Sequence, residues 1–194
     1  MKRCRHPAPA MRVQKIKKKS GGWREVVVPG RIEKRRLRAM LPYLNLLAML
    51  LDHQEVQHGF TPGRSPVTNA KAHIGCAYTA SFDLKDCFDH VRDSSLRRGV
   101  YDVLPGSVFY AGRAAQGLPT SPAVANIALA QLDNAILEAL AEHSERSVYT
   151  RYADDLSISS NSFPLVKQML WLVPLLAAGM DFPVNLDKIH LQVA

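Results

Sequence analysis

Two adjacent aspartates of the 194-residue chain, Asp154 and Asp155, stand where their carboxylates could do chemistry together. Residues 148–152 and 156–159 read as two short strands, so we predict a tight hairpin with the acids at its tip. Adjacent ionised aspartates repel each other and need a cation or a proton nearby. Mg²⁺ prefers oxygen ligands, and two such ions can clamp the attacking and leaving oxygens of a phosphoryl transfer. The alternative, for the pair alone, is a surface turn with two solvated acids.

Asp83 stands at the end of a predicted strand, 78–82, and is followed by a turn. An aspartate in that position is well placed to bind a metal, and the backbone carbonyl of Leu84 is a further candidate ligand. The sequence therefore predicts Asp83 as a separate candidate for metal binding.

Charge is divided unevenly along the chain. The net charge is +8, but residues 1–38 alone carry +12 and the remainder carries −4. A basic arm beside an acidic half is typical of a protein that grips a polyanion and binds metal. A solvated charge run is the alternative.

A basic hairpin is predicted within that arm. Lys17 to Lys19 precede the turn Ser20-Gly21-Gly22, and a strand follows from Trp23 to Val28 with Arg24 near its start. Such a hairpin could fold over a triphosphate, or it could be a plain exposed hairpin.

Helical periodicity positions the remaining segments. Helices are predicted over residues 32–53 with a kink or split at Pro42, 67–73, 96–104, 122–142 with Ser121 as N-cap, and 164–178; a strand is predicted over 190–193. This order favours an α+β fold with helices on one face of an antiparallel sheet.

Composition narrows the class of protein. At 47% hydrophobic and 22% charged residues, the chain is typical of a globular protein. No apolar run is long enough to span a bilayer, and the basic N-terminus lacks the apolar segment of a secretion signal. The three cysteines lack metal-site spacing and suit a reducing cytosol, so we expect a cytoplasmic protein.

Several motifs occur in one order along the chain. They are Trp23-Arg24 at the basic hairpin, the loop from Gly59-Phe60 to Ser65, Asn69-Ala70-Lys71-Ala72-His73, the Asp83 block, Gln116-Gly117 to Ser121-Pro122, Tyr152-Ala153-Asp154-Asp155, and Asn185 to Lys188. In this order they resemble the bacterial reverse transcriptases, specifically those of the retron type. The resemblance covers residues 15–190.

The resemblance implies the fingers and palm subdomains of a polymerase shaped like a right hand, with an antiparallel palm sheet backed by helices. Residues 1–77 would form the fingers and 78–194 the palm, with a further fingers segment within 92–120. It implies an RNA-directed DNA polymerase that copies a cognate structured noncoding RNA, with a possible part in phage defence.

The resemblance also implies roles for single residues. Asp83, Asp154 and Asp155 would be catalytic and, with the Leu84 carbonyl, would bind two Mg²⁺ ions, for which Mn²⁺ is a possible substitute. The implied contacts to the incoming deoxynucleotide (dNTP) are Lys17, Lys18, Arg24, Phe88, Gln116, Gly117 and Lys188. Those implied for the RNA template and the RNA–DNA hybrid are Arg64, Asn69, His73, Ser121 and Tyr152.

The chain departs from the family pattern in three places. The thumb with its Val-Thr-Gly element is not seen, so we expect a truncated chain or a thumb supplied in trans. Cys87 replaces a common aromatic residue, and Ala115 stands where proline is usual. A non-catalytic RNA-binding fragment is therefore the main alternative. A nucleotidyl cyclase, which would need a glycine-rich hairpin, is a weaker one. An effector protein is a possible further partner.

Overall fold

Two antiparallel sheets and three long helices form the framework of the part of the chain that the structure describes. The computed structural model describes residues 11–17, 21–52, 54–92 and 108–194. The strands are β1 (Arg12–Lys17), β2 (Trp23–Val28), β3 (Tyr78–Asp83), β4 (Ser147–Tyr152), β5 (Asp155–Ser160) and β6 (His190–Val193). The helices are α1 (Arg31–Leu51), α2 (Pro66–Ala72), α3 (Cys87–His90), α4 (Ser121–Ala141) and α5 (Phe163–Gly179), with a 3₁₀ turn over Leu186–Lys188.

The larger sheet has the strand order β4-β5-β3-β6, and all its pairs are antiparallel. Helices α4 and α5 pack against it, and buried residues from both helices and from three of its strands form one apolar core. This confirms the predicted α+β class.

Helix α4 is buried on almost every side. Its apolar residues at four-residue steps are each at most 5% exposed: Val124, Ala128, Leu132, Ile136 and Leu140. Although the sequence predicted no segment able to span a bilayer, this helix is long and apolar enough to cross one; 67% of its most apolar window is buried inside the protein, as in the core helix of a soluble domain.

The basic hairpin forms a separate two-stranded sheet, in which β1 pairs with β2. The sequence predicted β2 but not the full length of β1, whose six residues are all exposed. Lys18 and Lys19 lie outside the described residues, as do the predicted helix over 96–104 and its cap. The apolar residues Val27, Leu37, Ala115 and Leu118 form a small second core beneath the hairpin.

Two local features differ from prediction. A kink or a split was predicted at Pro42, and the split is wrong, because helix α1 runs through Pro42 as one element. Beyond Pro42 the helix remains packed in the main core through Leu44 and Ala48. Ser121 is not the N-cap of α4, because Thr120 occupies that position. The Ser121 hydroxyl instead donates to the carbonyl of Ala115 at 2.6 Å, which ties the helix start to the preceding loop.

Candidate active site

The two predicted metal-binding segments meet at one edge of the larger sheet. Asp83 ends β3 and Asp155 begins β5, and the two residues are direct cross-strand partners. Asp154 lies in the two-residue turn between β4 and β5, and its carbonyl accepts a hydrogen bond from the Leu84 N–H at 3.0 Å. Side chains of directly opposed residues project on the same face of a sheet. The fold therefore gathers three carboxylates at one edge.

Two of these carboxylates, those of Asp154 and Asp155, have raised pKa values. Burial is the largest cause that raises the pKa of Asp154, and Asp83 adds to it, while the charges of Lys188 and Arg24 oppose it. The pKa of Asp155 is also raised, first by burial and then by Asp154 and Asp83. Burial and the neighbouring carboxylates therefore both disfavour the charged forms, which a nearby cation would stabilise.

Lys188 supplies one such cation. Its ammonium group donates to both carboxylate oxygens of Asp83, at 3.1 Å each. This contact raises the pKa of Lys188. The backbone N–H of Asn185 also donates to the Asp83 carbonyl at 2.8 Å, so the segment leading to Lys188 is fixed against the end of β3.

The donor set fits Mg²⁺ in its chemistry, since it offers three carboxylates and a nearby backbone carbonyl. Within the described ranges, however, no three acidic, histidine or cysteine side chains already stand at metal-binding geometry. The Asp83 carboxylate is bound by Lys188 instead. A metal bound by all three carboxylates would therefore share Asp83 with the ammonium group or displace it.

The residues predicted to contact the nucleotide occupy several elements. Lys17 ends β1 opposite Trp23, Arg24 is exposed on β2, and Lys18 lies outside the described residues. The Gln116 carbonyl accepts from the Val27 N–H at 2.7 Å.

Gly117, with φ +97°, packs so closely on β2 that a Cβ there would overlap Val26 and Val27. The Gln116-Gly117 loop is thereby attached to the hairpin.

Phe88 is half-buried on α3. Its ring centroid lies 6.5 Å from that of Phe60 in the loop from Gly59 to Ser65, called the glycine-rich loop below. Tyr152 ends β4 beside the turn and is half-buried. Gly59 packs against the backbone of Tyr152 and Ala153 so tightly that a Cβ would overlap it. The glycine-rich loop therefore lies against the turn that carries Asp154.

The residues predicted to bind RNA make contacts inside the protein. Arg64 donates to the carbonyls of Glu55 and Gln57 and forms an ion pair with Glu55 at 3.1 Å. His73 bonds to the hydroxyls of Ser159 and Thr150, at 2.7 Å each, which ties the end of α2 to β4 and β5.

Asn69 contrasts with these residues. Its side-chain oxygen is buried and accepts no hydrogen bond in the part of the chain that the structure describes.

Sequence reasoning missed a buried polar cluster formed by Asn126, Asp133, Tyr149 and Arg151, each at most 4% exposed. Asn126 and Asp133 lie seven residues apart on α4, and Tyr149 and Arg151 lie two apart on β4. Both spacings place a pair on one face of its element. Polar residues that recur on a buried face were the signal available in the sequence.

Residues 16–193 match the family described as "Reverse transcriptase (RNA-dependent DNA polymerase)". The chain belongs to the reverse transcriptase family. Its curated relatives include the retron Mx65 reverse transcriptase of Myxococcus xanthus, 31% identical over 91% of this chain and 47% of that protein. The retron Ec86 reverse transcriptase of Escherichia coli is 32% identical over 56% of this chain and 36% of that protein. These relatives confirm the resemblance to the retron type.

The chain spans about half the length of the curated relatives, with 61% covered in the retron Ec73 reverse transcriptase of Escherichia coli. Among solved structures, the telomerase of Candida albicans in complex with a fragment of telomeric RNA matches with a TM-score of 0.68, 13% identity and coverage of 95% of this chain and 43% of that chain. Apo telomerase from Candida tropicalis matches with a TM-score of 0.67 and 15% identity, over 95% of this chain and 50% of that chain. At such identities the likeness concerns the fold, and it supports the predicted arrangement of fingers and palm.

Proposed function

We propose that this reverse transcriptase is an RNA-directed DNA polymerase of the retron type. The observation that carries the proposal is the cross-strand pairing of Asp83 with Asp155 beside the Asp154 turn, in a chain whose family polymerises DNA on RNA. Nucleotidyl transfer consists largely of positioning and charge neutralisation, and this edge of the sheet offers carboxylates and cations together.

Asp83, Asp154 and Asp155, with the Leu84 carbonyl, would hold two Mg²⁺ ions, and Mn²⁺ could replace them. Bound there, such ions lower the pKa of a primer hydroxyl and neutralise a triphosphate. Lys188 would lose its carboxylate partner when Asp83 binds metal, so its ammonium group would become free to face the leaving pyrophosphate. Its contact with Asp83 supports this role.

Cations on the hairpin would grip the incoming dNTP. Arg24 acts electrostatically on Asp154, which supports its placement near the triphosphate. Lys17 and Lys18 would assist from the first strand and its turn. Gln116 and Gly117 would shape the pocket, and Phe88 would lie beneath the sugar and exclude a 2′-hydroxyl.

The template would pass over the glycine-rich loop and α2. Because Arg64 and His73 use their polar atoms within the protein, we propose that they order this surface. Asn69 keeps a free acceptor, and Ser121 and Tyr152 flank the same region. The natural template would be a cognate structured noncoding RNA, and the product an RNA–DNA hybrid.

Residues 1–77 would act as fingers, with a further segment within 92–120, and 78–194 as palm. The enzyme would act in the cytoplasm, with a role in phage defence alongside an effector protein.

The test is incorporation of dNTPs by the purified chain on an RNA template with an annealed DNA primer and Mg²⁺. A full-length retron reverse transcriptase serves as positive control. Asp154→Asn should lower turnover by at least about a hundredfold, as loss of a charge-stabilising group does elsewhere. Glu142→Gln, an exposed acid at the far end of α4, is the matched control.

The same samples distinguish the proposed polymerase from the alternative, an RNA-binding fragment without catalysis. That alternative predicts salt-sensitive RNA binding, unchanged by Asp154→Asn, with no incorporation while the positive control is active. This outcome would reject the enzyme.

A further inference from the structure

A buried arginine reaches the catalytic turn from inside the protein. The Arg151 side chain is fully buried. Its Nε and Nη2 each donate to one carboxylate oxygen of Asp133, at 2.8 Å. Its Nη1 donates to the Asn126 side-chain oxygen at 2.9 Å and to the Ala153 carbonyl at 3.1 Å. Ala153 is the residue before Asp154, so the guanidinium connects helix α4 to the turn that bears a catalytic carboxylate.

Two neighbours complete the cluster. The Tyr149 hydroxyl donates to Asp133 at 2.7 Å, and the Asn126 amide donates to the Gly59 carbonyl at 3.0 Å. Burial alone would lower the pKa of Arg151, but the charge and hydrogen bonds of Asp133 outweigh it and hold the group charged. The cluster is therefore a permanent ion pair with defined hydrogen-bond partners.

The backbone of Arg151 joins the same two regions. Its N–H donates to the Val56 carbonyl, and its carbonyl accepts from the His58 N–H, at 2.8 Å each. The segment 56–58 thus extends along β4 as a short parallel neighbour. The glycine-rich loop and the catalytic turn are held by one residue through both backbone and side chain.

The turn needs such support. Ala153 has φ +59°, a region that residues with a Cβ rarely occupy. Replacing a buried ion pair by apolar residues is often neutral or stabilising, so fold stability alone does not account for this one. Arg151 contacts the Ala153 carbonyl directly and reaches the Gly59 carbonyl through Asn126. These contacts indicate a role in the geometry of the turn and the loop.

We propose that Arg151, oriented by Asp133 and Tyr149, and Asn126 are positioning residues that set the catalytic turn and register the glycine-rich loop against it. This proposal of positioning residues rests on the proposed polymerase function. The conformation of the turn fixes where Asp154 and Asp155 point relative to Asp83.

The test compares two variants with the wild type. The triple variant Asp133→Leu, Tyr149→Phe, Arg151→Met replaces the pair by apolar groups without leaving a lone charge. Arg151→Lys keeps a positive charge for Asp133 but removes the Nη1 contacts to Asn126 and Ala153. Ser160→Ala is the control, because it removes the bond from Ser160 to the Arg146 carbonyl, 2.8 Å long, at the other end of the same hairpin.

Three quantities are measured: the melting temperature, kcat per active site with KM for dNTP, and Mn²⁺ affinity by electron paramagnetic resonance. A misplaced reacting group costs up to about a hundredfold in rate. We expect both variants to lose at least about tenfold in kcat, with KM for dNTP changed less than about threefold, and to bind Mn²⁺ more weakly. Ser160→Ala should lower only the melting temperature.

Folded variants with wild-type kcat and Mn²⁺ affinity would overturn the proposal. If the triple variant does not melt cooperatively, the kcat and the Mn²⁺ affinity of Arg151→Lys decide whether the proposal holds. If the wild type itself incorporates no dNTP while the positive control does, the polymerase proposal fails. Mn²⁺ affinity then still decides whether the cluster positions the carboxylates, since equal affinities in wild type and variants would count against it.

Discussion

Lys188 holds both carboxylate oxygens of Asp83 at 3.1 Å, although the two residues lie 105 positions apart in the chain. A metal ion bound by Asp83, as proposed, would compete with the ammonium group for the same oxygens. Lys188 thereby balances part of the negative charge of Asp83, Asp154 and Asp155 whenever no metal is bound.

Lys188→Met should therefore tighten Mn²⁺ binding. Because more than half of the Lys188 side chain is exposed, the effect should be modest, about two- to fivefold, as for a surface ion pair. Electron paramagnetic resonance of free and bound Mn²⁺ measures it. Lys188→Arg, which keeps the charge, should behave as the wild type. Unchanged or weaker binding in Lys188→Met would contradict the competition.

Gly59→Ala should damage the catalytic turn from the loop side. A Cβ at residue 59 would overlap the backbone of Tyr152 and Ala153, which cannot yield without moving the turn. Overpacking of this kind costs about 1–3 kcal/mol of unfolding free energy, and we expect turnover to fall with it. Chemical denaturation and primer extension measure the two effects. Gly179→Ala, with open space around its Cβ position, is the control; a Gly59→Ala protein with wild-type stability and rate would refute the close packing.

Stability should fall as the solution becomes mildly acidic, in part through His73. Burial, and then the charge of His58, lowers the pKa of His73 in the folded protein. The unfolded chain therefore takes up this proton first. The contribution is complete above the unfolded pKa of about 6.5 and is lost as pH falls through the lowered folded value.

Melting temperatures at about pH 7.5 and about pH 5.5 measure this loss, because the two values bracket the unfolded histidine pKa. His73→Gln should show a smaller drop than the wild type. His190→Gln, at an exposed position on β6, should keep the full drop. Equal drops in all three proteins would exclude a role for His73.

Phe88→Ala should relax sugar selection if the ring lies beneath the incoming nucleotide. The ring is half-buried and packs near Phe60, so it presents a fixed surface and its removal opens space. We expect the preference for dNTP over ribonucleotide, measured as a ratio of kcat/KM values, to fall by at least about tenfold, as when a steric contact is removed from a pocket. Phe163→Ala, which removes an aromatic residue packed on Tyr78, is the control. An unchanged ratio in Phe88→Ala would place sugar selection elsewhere.

Local patterns were enough to predict much of the fold. The β4–β5 hairpin, β3, β6 and the buried stripe of α4 follow from alternation, helical periodicity and turn residues. The pairing that joins Asp83 to Asp155 was anticipated only as two segments of one site, because strand register between distant segments is set by tertiary packing.

Several unpredicted features depend on contacts between distant segments. Val56 to His58 give little strand signal, yet they pair with Arg151. Lys188 was assigned a contact with the incoming nucleotide, but its contact with Asp83 could not be foreseen from spacing. The cluster of Asn126, Asp133 and Arg151 gave only a weak signal in the sequence, since each is a polar residue among apolar neighbours that are buried.

The buried Asp133–Arg151 pair also has a consequence for behaviour on heating. The free energy needed to remove charges from water decreases as temperature rises. The cost of keeping this pair inside the core therefore declines on warming, which favours retention of its hydrogen bond to the Ala153 carbonyl. We expect Asp83, Asp154 and Asp155 to keep their arrangement up to the unfolding transition, so that the enzyme loses activity and structure at the same temperature.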